Sequence, residues 1–144
     1  MGKTTEKNFR ELKSSPKYED AKLTGMLNNE FTSILDKYVT RKKLSTAQIM
    51  EYTHYSKSYI NKMRNPLEKT AQPTRKFVIA VALALNLNLD ETNRLLKSAR
   101  FHELYTRDKA ESLIIWGLTH KMNALQIKAL LQEKGLEDNI FKDN

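Results

Sequence analysis

The twenty residues from Leu44 to Met63 limit what this chain can become more than any other stretch. Ser45 is an N-cap candidate, because its hydroxyl can accept from a free amide of a first helical turn. Ala47, Ile49, Met50 and Thr53 follow, and the spacing predicts a two-turn helix with these residues inward. His54-Tyr55 leave room only for a tight turn, and His is among the non-glycine residues enriched in the left-handed region such a turn needs. Ser56 is a second N-cap candidate, and Tyr59, Ile60 and Met63 predict the buried face of a second short helix. Its outward set is Lys57, Ser58, Asn61 and Lys62, all polar and two of them cationic. Hydrogen-bonding side chains set between basic ones suit the major groove of duplex DNA. Tyr59 fits either the core or the groove-facing side.

Whether such a helix meets a polyanion depends on where charge lies. The 144 residues carry a net +8. Residues 1–27 hold six basic and four acidic side chains, residues 28–100 hold thirteen and six, and residues 101–144 hold six and seven. The middle segment, with +7, contains the helix pair, as an electrostatic footprint for nucleic acid requires. Only four glycines occur, so a phosphate-cradling loop cannot be built; Gly2-Lys3-Thr4 lacks the earlier glycine such a loop needs. With no cysteine, disulfides, thiol nucleophiles and Cys-based zinc sites are excluded. His54, His102 and His120 are too far apart for metal-ligand spacing, so the reading is non-enzymatic, with no catalytic residues, metal or cofactor. The longest apolar runs, Phe77 to Leu85 and Leu113 to Trp116, fall short of the roughly 20 residues that cross a bilayer. No signal-peptide pattern opens the chain, and the expectation is a cytoplasmic protein with no membrane association.

The remaining elements follow the same cues. Residues 1–27 offer only Phe9, Leu12, Tyr18 and Leu23 to bury, interrupted by Pro16 and Gly25, and read as a flexible N-terminal arm. A first helix is expected from Asn28 or Asn29 to about Lys42, with Phe31, Ile34, Leu35 and Tyr38 inward. Asn65-Pro66 ends the second short helix of the pair. A fourth helix from about Thr74 to Leu85 is apolar on most sides and should be the central buried one. Asp90 is the expected cap of a fifth, which Leu95-Leu96 close. Beyond residue 100, Thr106 or Asp108 can cap a helix through Leu118. Asn123 can cap another, with Ala124, Ile127, Leu130 and Leu131 inward and Gly135 as a left-handed stop. Lys121-Met122-Asn123, with Gln126-Ile127, weakly echo Lys43-Leu44-Ser45, with Gln48-Ile49.

At Leu44-Ser45-Thr46, Ile49-Met50, His54-Tyr55-Ser56 and Ile60-Asn61 the chain resembles the helix-turn-helix of the phage Cro and repressor-like (XRE) DNA-binding family. Pro73-Thr74, the apolar positions Phe77, Val78, Val81, Ala82, Leu85 and Leu87, and Asp90-Glu91 extend the likeness over about residues 28–100. Thr46 stands where relatives carry a glutamine that braces the DNA backbone, His54 replaces the turn glycine, and Arg64 to Gln72 is a longer connection. The resemblance implies an all-α fold, a five-helix repressor-like helix-turn-helix domain over 28–100; the caps and apolar spacing beyond it add a C-terminal two-helix extension over 101–144, expected to pack on that domain and to supply some dimer surface. The resemblance also implies that the loop after the pair and the start of the fourth helix lie near the DNA backbone.

The expected function is sequence-specific binding of double-stranded DNA by a homodimeric transcriptional regulator. Ser56, Lys57, Ser58 and Asn61 are the base-reading candidates; Thr46, Gln48, Lys62, Arg64, Lys69 and Arg75 are the phosphate candidates. A homodimer follows because one short helix reads too few base pairs. The alternative is a protein–protein interaction module on the same scaffold (an adaptor, antitoxin-like partner or inhibitor), recruiting a partner through the C-terminal helices at Ile114, Ile115 and Trp116.

Overall fold

The computed structural model describes residues 30–68 and 71–142, and among these the chain is all-helical, with seven α-helices, a 3₁₀ turn and no strand. The expected arm, the first helix's start at Asn28 or Asn29, and Lys69 lie outside the described residues. Helix α1 (Glu30–Lys42) buries Phe31, Thr32, Leu35, Tyr38 and Val39 on one side. Ile34, expected inward, is only half-buried. Glu30 in the first turn and Arg41 and Lys42 in the last oppose the helix dipole favourably.

Helix α2 (Thr46–Thr53) opens with a capping box, in which the Ser45 hydroxyl accepts from Gln48 N–H while the Gln48 side chain accepts from Ser45 N–H. Its buried residues are Ile49, Tyr52 and Thr53. Ala47 is exposed, against expectation, because a residue two positions from Ile49 lies about 200° round the helix from it. Tyr52 takes the inward place instead. His54 then turns left-handed, at φ 67°, and its N–H closes on the Met50 carbonyl. Helix α3 (Lys57–Arg64) starts at Ser56, whose hydroxyl accepts from Tyr59 N–H, and buries Ile60 and Met63.

Helix α4 (Arg75–Ala84) is the central element, with every residue from Phe77 to Ala84 buried. It packs against α2, against α5 (Leu89–Ser98) and against α7 (Ala124–Glu133). α1 packs on α3 and α5. α5 is capped by Asn88 rather than Asp90, through a capping box with Glu91, and Asp90 falls in the first turn, where its charge still faces the helix N-terminus. α6 (Lys109–Thr119), capped by Asp108, packs on α5 and α7. Gly117 permits the α6–α7 approach: a Cβ there would lie 3.0 Å from the Ile127 side chain. α7 is capped by Asn123 and stopped by left-handed Gly135 at φ 68°. The 3₁₀ turn Glu137–Asn139 then brings Ile140 and Phe141 into the core. One hydrophobic core therefore runs from Phe31 to Phe141, and the C-terminal helices share it. No helix among the described residues is long and apolar enough to cross a membrane.

Candidate nucleic-acid interface

Three aromatic rings fix how α3 sits. Tyr59 stacks on Tyr55 with centroids 5.1 Å apart, and both meet Phe77 edge-on, at 4.8 and 4.9 Å. Tyr59 therefore belongs to the inner side, where its ring ties the first turn of α3 to Phe77 of α4, while α3, with Ile60 and Met63 buried, packs on α1 and α2. The opposite side keeps Lys57, Ser58, Asn61 and Lys62 exposed, as does the cap residue Ser56. The Ser56 oxygen accepts from Tyr59 N–H at 3.1 Å, so its hydroxyl proton remains able to donate outward. Asn61 accepts from the Thr46 hydroxyl at 3.3 Å and keeps its amide N–H pair as donors.

The six phosphate candidates separate sharply. Lys62 and Gln48 are exposed; the Gln48 carbonyl accepts from Ser45 N–H at 2.9 Å, which leaves the amide nitrogen outward-capable. Thr46 and Arg64 are turned into the fold. The single hydroxyl proton of Thr46 goes to Asn61, and its oxygen accepts from Arg64 at 3.3 Å. Arg64 also pairs with Asp36 at 3.2 Å, so a chain from Asp36 through Arg64 and Thr46 to Asn61 laces α1, α2 and α3 together. In the free chain these two side chains, expected at phosphates, make their hydrogen bonds within the fold. Arg75, the next candidate, is engaged within the fold more fully still. Its guanidinium donates to both carboxylate oxygens of Glu111, at 3.0 and 2.6 Å, and to the carbonyls of His102 and Glu103, at 2.7 and 2.9 Å. Burial by itself would raise the Glu111 carboxyl, but the Arg75 hydrogen bonds and the Tyr105 N–H outweigh it and hold the group below its ordinary value. Arg75 thus fastens the start of α4 to the C-terminal extension. Lys69, the sixth, lies outside the described residues.

The C-terminal extension also grips the turn that precedes α3, which no sequence pattern announces. The Tyr52 hydroxyl donates to the Ala124 carbonyl at 2.6 Å, and burial pushes that phenol far above its usual value. Lys128 Nζ donates to the Tyr52 carbonyl at 2.7 Å, lies 3.1 Å from His54 Nε2, and rests over the rings of Tyr52 and Phe141. Burial lowers the Lys128 ammonium from its ordinary value, and Glu51 partly offsets this. Lys142 N–H donates to the Thr53 carbonyl at 3.1 Å. The turn is therefore held at three consecutive residues by a segment far away in sequence.

The other histidines make local contacts: His102 Nδ1 meets the Glu103 carbonyl at 2.8 Å and His120 stacks on Trp116. Among the described residues no group of three or more His, Asp or Glu side chains is placed to hold a metal. Compared with known proteins, the chain matches no family model, no curated protein and no solved structure.

Proposed function

We propose that this chain is a sequence-selective duplex-DNA-binding regulator that works without catalysis. In this reading α2, the His54 turn and α3 are a helix-turn-helix of the phage Cro and repressor-like kind, within a five-helix unit extended by α6 and α7. One observation carries it: a short helix with Ile60 and Met63 buried on one side leaves Lys57, Ser58, Asn61 and Lys62 exposed on the other. Ser56, Lys57, Ser58 and Asn61 read base edges, with Asn suited to adenine and Lys to guanine. Lys62 and Gln48 contact phosphates and set the register. Two copies of the chain read paired half-sites about one helical turn apart.

Selection from a random duplex pool at near-physiological salt tests the proposal. Enrichment of a palindrome with half-sites so spaced is the expected result, and a pool that stays random at every salt concentration overturns it. A second reading, a protein-interaction module, is favoured by Trp116 and Leu125, which are 50% and 74% exposed on the extension, whereas Ile114, expected on that surface, is buried in the core and Ile115 is half-buried. Salt separates the two, because binding through several phosphates weakens steeply as salt rises and an apolar contact hardly responds.

A further inference from the structure

Beside the start of α3 lies an open hollow of about 590 Å³, walled by Glu51, His54, Ser56, Tyr59, Thr74 and, from the far end of the chain, Lys142. Ser56 and Thr74 are the N-caps of α3 and α4, so two helix starts and one lysine share a rim. The position of that lysine is fixed by what precedes it. Ile140 and Phe141 are buried, Phe141 meets the Tyr52 ring edge-on at 5.2 Å, and Lys142 N–H is bonded to the Thr53 carbonyl. Its backbone is thereby pinned to the last residue of α2, while its side chain is exposed, with Nζ 5.7 Å from the centre of the Tyr55 ring. One carboxylate, that of Glu51, lies on the same rim, and it faces Lys128 as well.

We propose that Lys142 is a phosphate-contacting residue, carried by the C-terminal extension to the mouth of the reading helix. This rests on the DNA-binding reading above. If α3 enters a major groove roughly 12 Å wide, the positions flanking its first turn border the sugar–phosphate backbone. A lysine anchored there by its own main chain supplies a point charge to one phosphate and no base specificity. The extension then has two tasks, to clasp the turn and to lengthen the electrostatic footprint of the helix pair. Charge summed by segment, which gives residues 101–144 a net −1, says nothing of where a single cation of the extension is placed.

The test uses the full chain carrying Lys142→Gln or Lys142→Arg, with the selected duplex and an unrelated duplex titrated between about 50 and 200 mM salt. Lys142→Gln should weaken both duplexes by the same factor and lower the slope of log K against log salt by about one. The advantage of the wild-type chain should accordingly shrink roughly threefold across that salt range. Lys142→Arg should keep the wild-type slope. An unchanged slope in Lys142→Gln, beside a wild-type chain that binds, overturns the assignment of Lys142 alone, as does a weakening confined to the selected duplex. A wild-type chain that binds neither duplex removes the DNA-binding reading itself.

Discussion

On the outer face of α3, Lys57 and Lys62 keep their ammonium groups in solvent, whereas at the start of α4 Arg75 gives its guanidinium to Glu111 and to two backbone carbonyls. Both regions are basic in sequence, and side-chain chemistry explains their different fates. The planar fork of arginine matches a carboxylate in two places and is weakly hydrated, so it can be drawn into a seam between elements. A lysine ammonium is a compact, strongly hydrated charge, which favours leaving it in water unless its partners are arranged as they are around Lys128. Arg64 follows the same rule as Arg75, turned toward Asp36 and Thr46. Arg64 and Arg75 thus bond within the fold, and Lys57 and Lys62 stay exposed, free for the contacts proposed above.

The strongest way to break this contrast is Arg75→Ala. The side chains of Arg75 and Glu111 are only 20% and 11% exposed, so removing the cation strands a nearly buried carboxylate. The expected loss is about 3–5 kcal/mol of unfolding free energy, read from urea denaturation. Replacing Glu111 by Gln adds a pH test. Because Glu111 titrates lower in the folded chain than its ordinary value, its charge stabilises fully above the ordinary carboxylate range, and that stabilisation is lost as pH falls through the lowered value. The stability difference between wild type and Glu111→Gln should therefore be flat near neutrality and close in acid. A difference that widens in acid would contradict the pairing.

Next in size is Lys57→Ala combined with Asn61→Ala. On the proposed reading, removing either side chain should cost about 1–3 kcal/mol of discrimination between the selected site and other sequences. Stability should fall by about 1 kcal/mol or less, because the Thr46 hydroxyl no longer has Asn61 to donate to. An unchanged ratio of specific to non-specific affinity would take the reading role away from α3.

Arg64→Ala probes the boundary between the two regions, since Arg64 sits on α3 yet points at α1 and α2. Losing its bonds to Asp36 and Thr46 should cost about 1–2 kcal/mol of stability. The salt slope of DNA binding should stay as in wild type. A slope lowered by about one would return Arg64 to the phosphate-binding set.

Local chemistry is legible in the sequence and long-range pairing is not. Ser45, Ser56, Asp108 and Asn123 are readable as caps because a cap needs only its own helix's first turn. His54 and Gly135 are readable as left-handed stops, but Lys43, Asn86, Arg100 and Lys121 turn left-handed too. Each is followed by an apolar residue, Leu44, Leu87, Phe101 or Met122, whose N–H returns to a carbonyl of the helix just ended. That apolar residue is the available signal, since its burial against the last turn stabilises the stop even without glycine. The pairing of Arg75 with Glu111, and the hold of Lys128 and Lys142 on the turn, join residues 36 to 89 positions apart. Periodicity reports which face of one helix is buried and carries no information about which distant charge it will meet. The exposed basic face of α3 is therefore visible in the sequence, while the internal partners of Thr46, Arg64 and Arg75 are not.

Lys62→Ala is the smallest and cleanest test of the contrast. Lys62 lies in the last turn of α3, exposed, and forms no ion pair among the described residues. Its loss should change stability by no more than about 0.5 kcal/mol, as for a surface substitution away from caps and pairs. Its favourable placement near the negative end of the helix dipole is worth only a few tenths of that unit in water. Binding to the selected and unrelated duplexes should weaken equally, with the salt slope reduced by about one. The paired measurement on Arg64→Ala, two residues further along the same helix, should show the reverse: a stability loss and an intact slope. If both variants lower the slope, the lysine–arginine division fails at α3, and the helix presents a broader cationic face than its hydrogen bonds indicate.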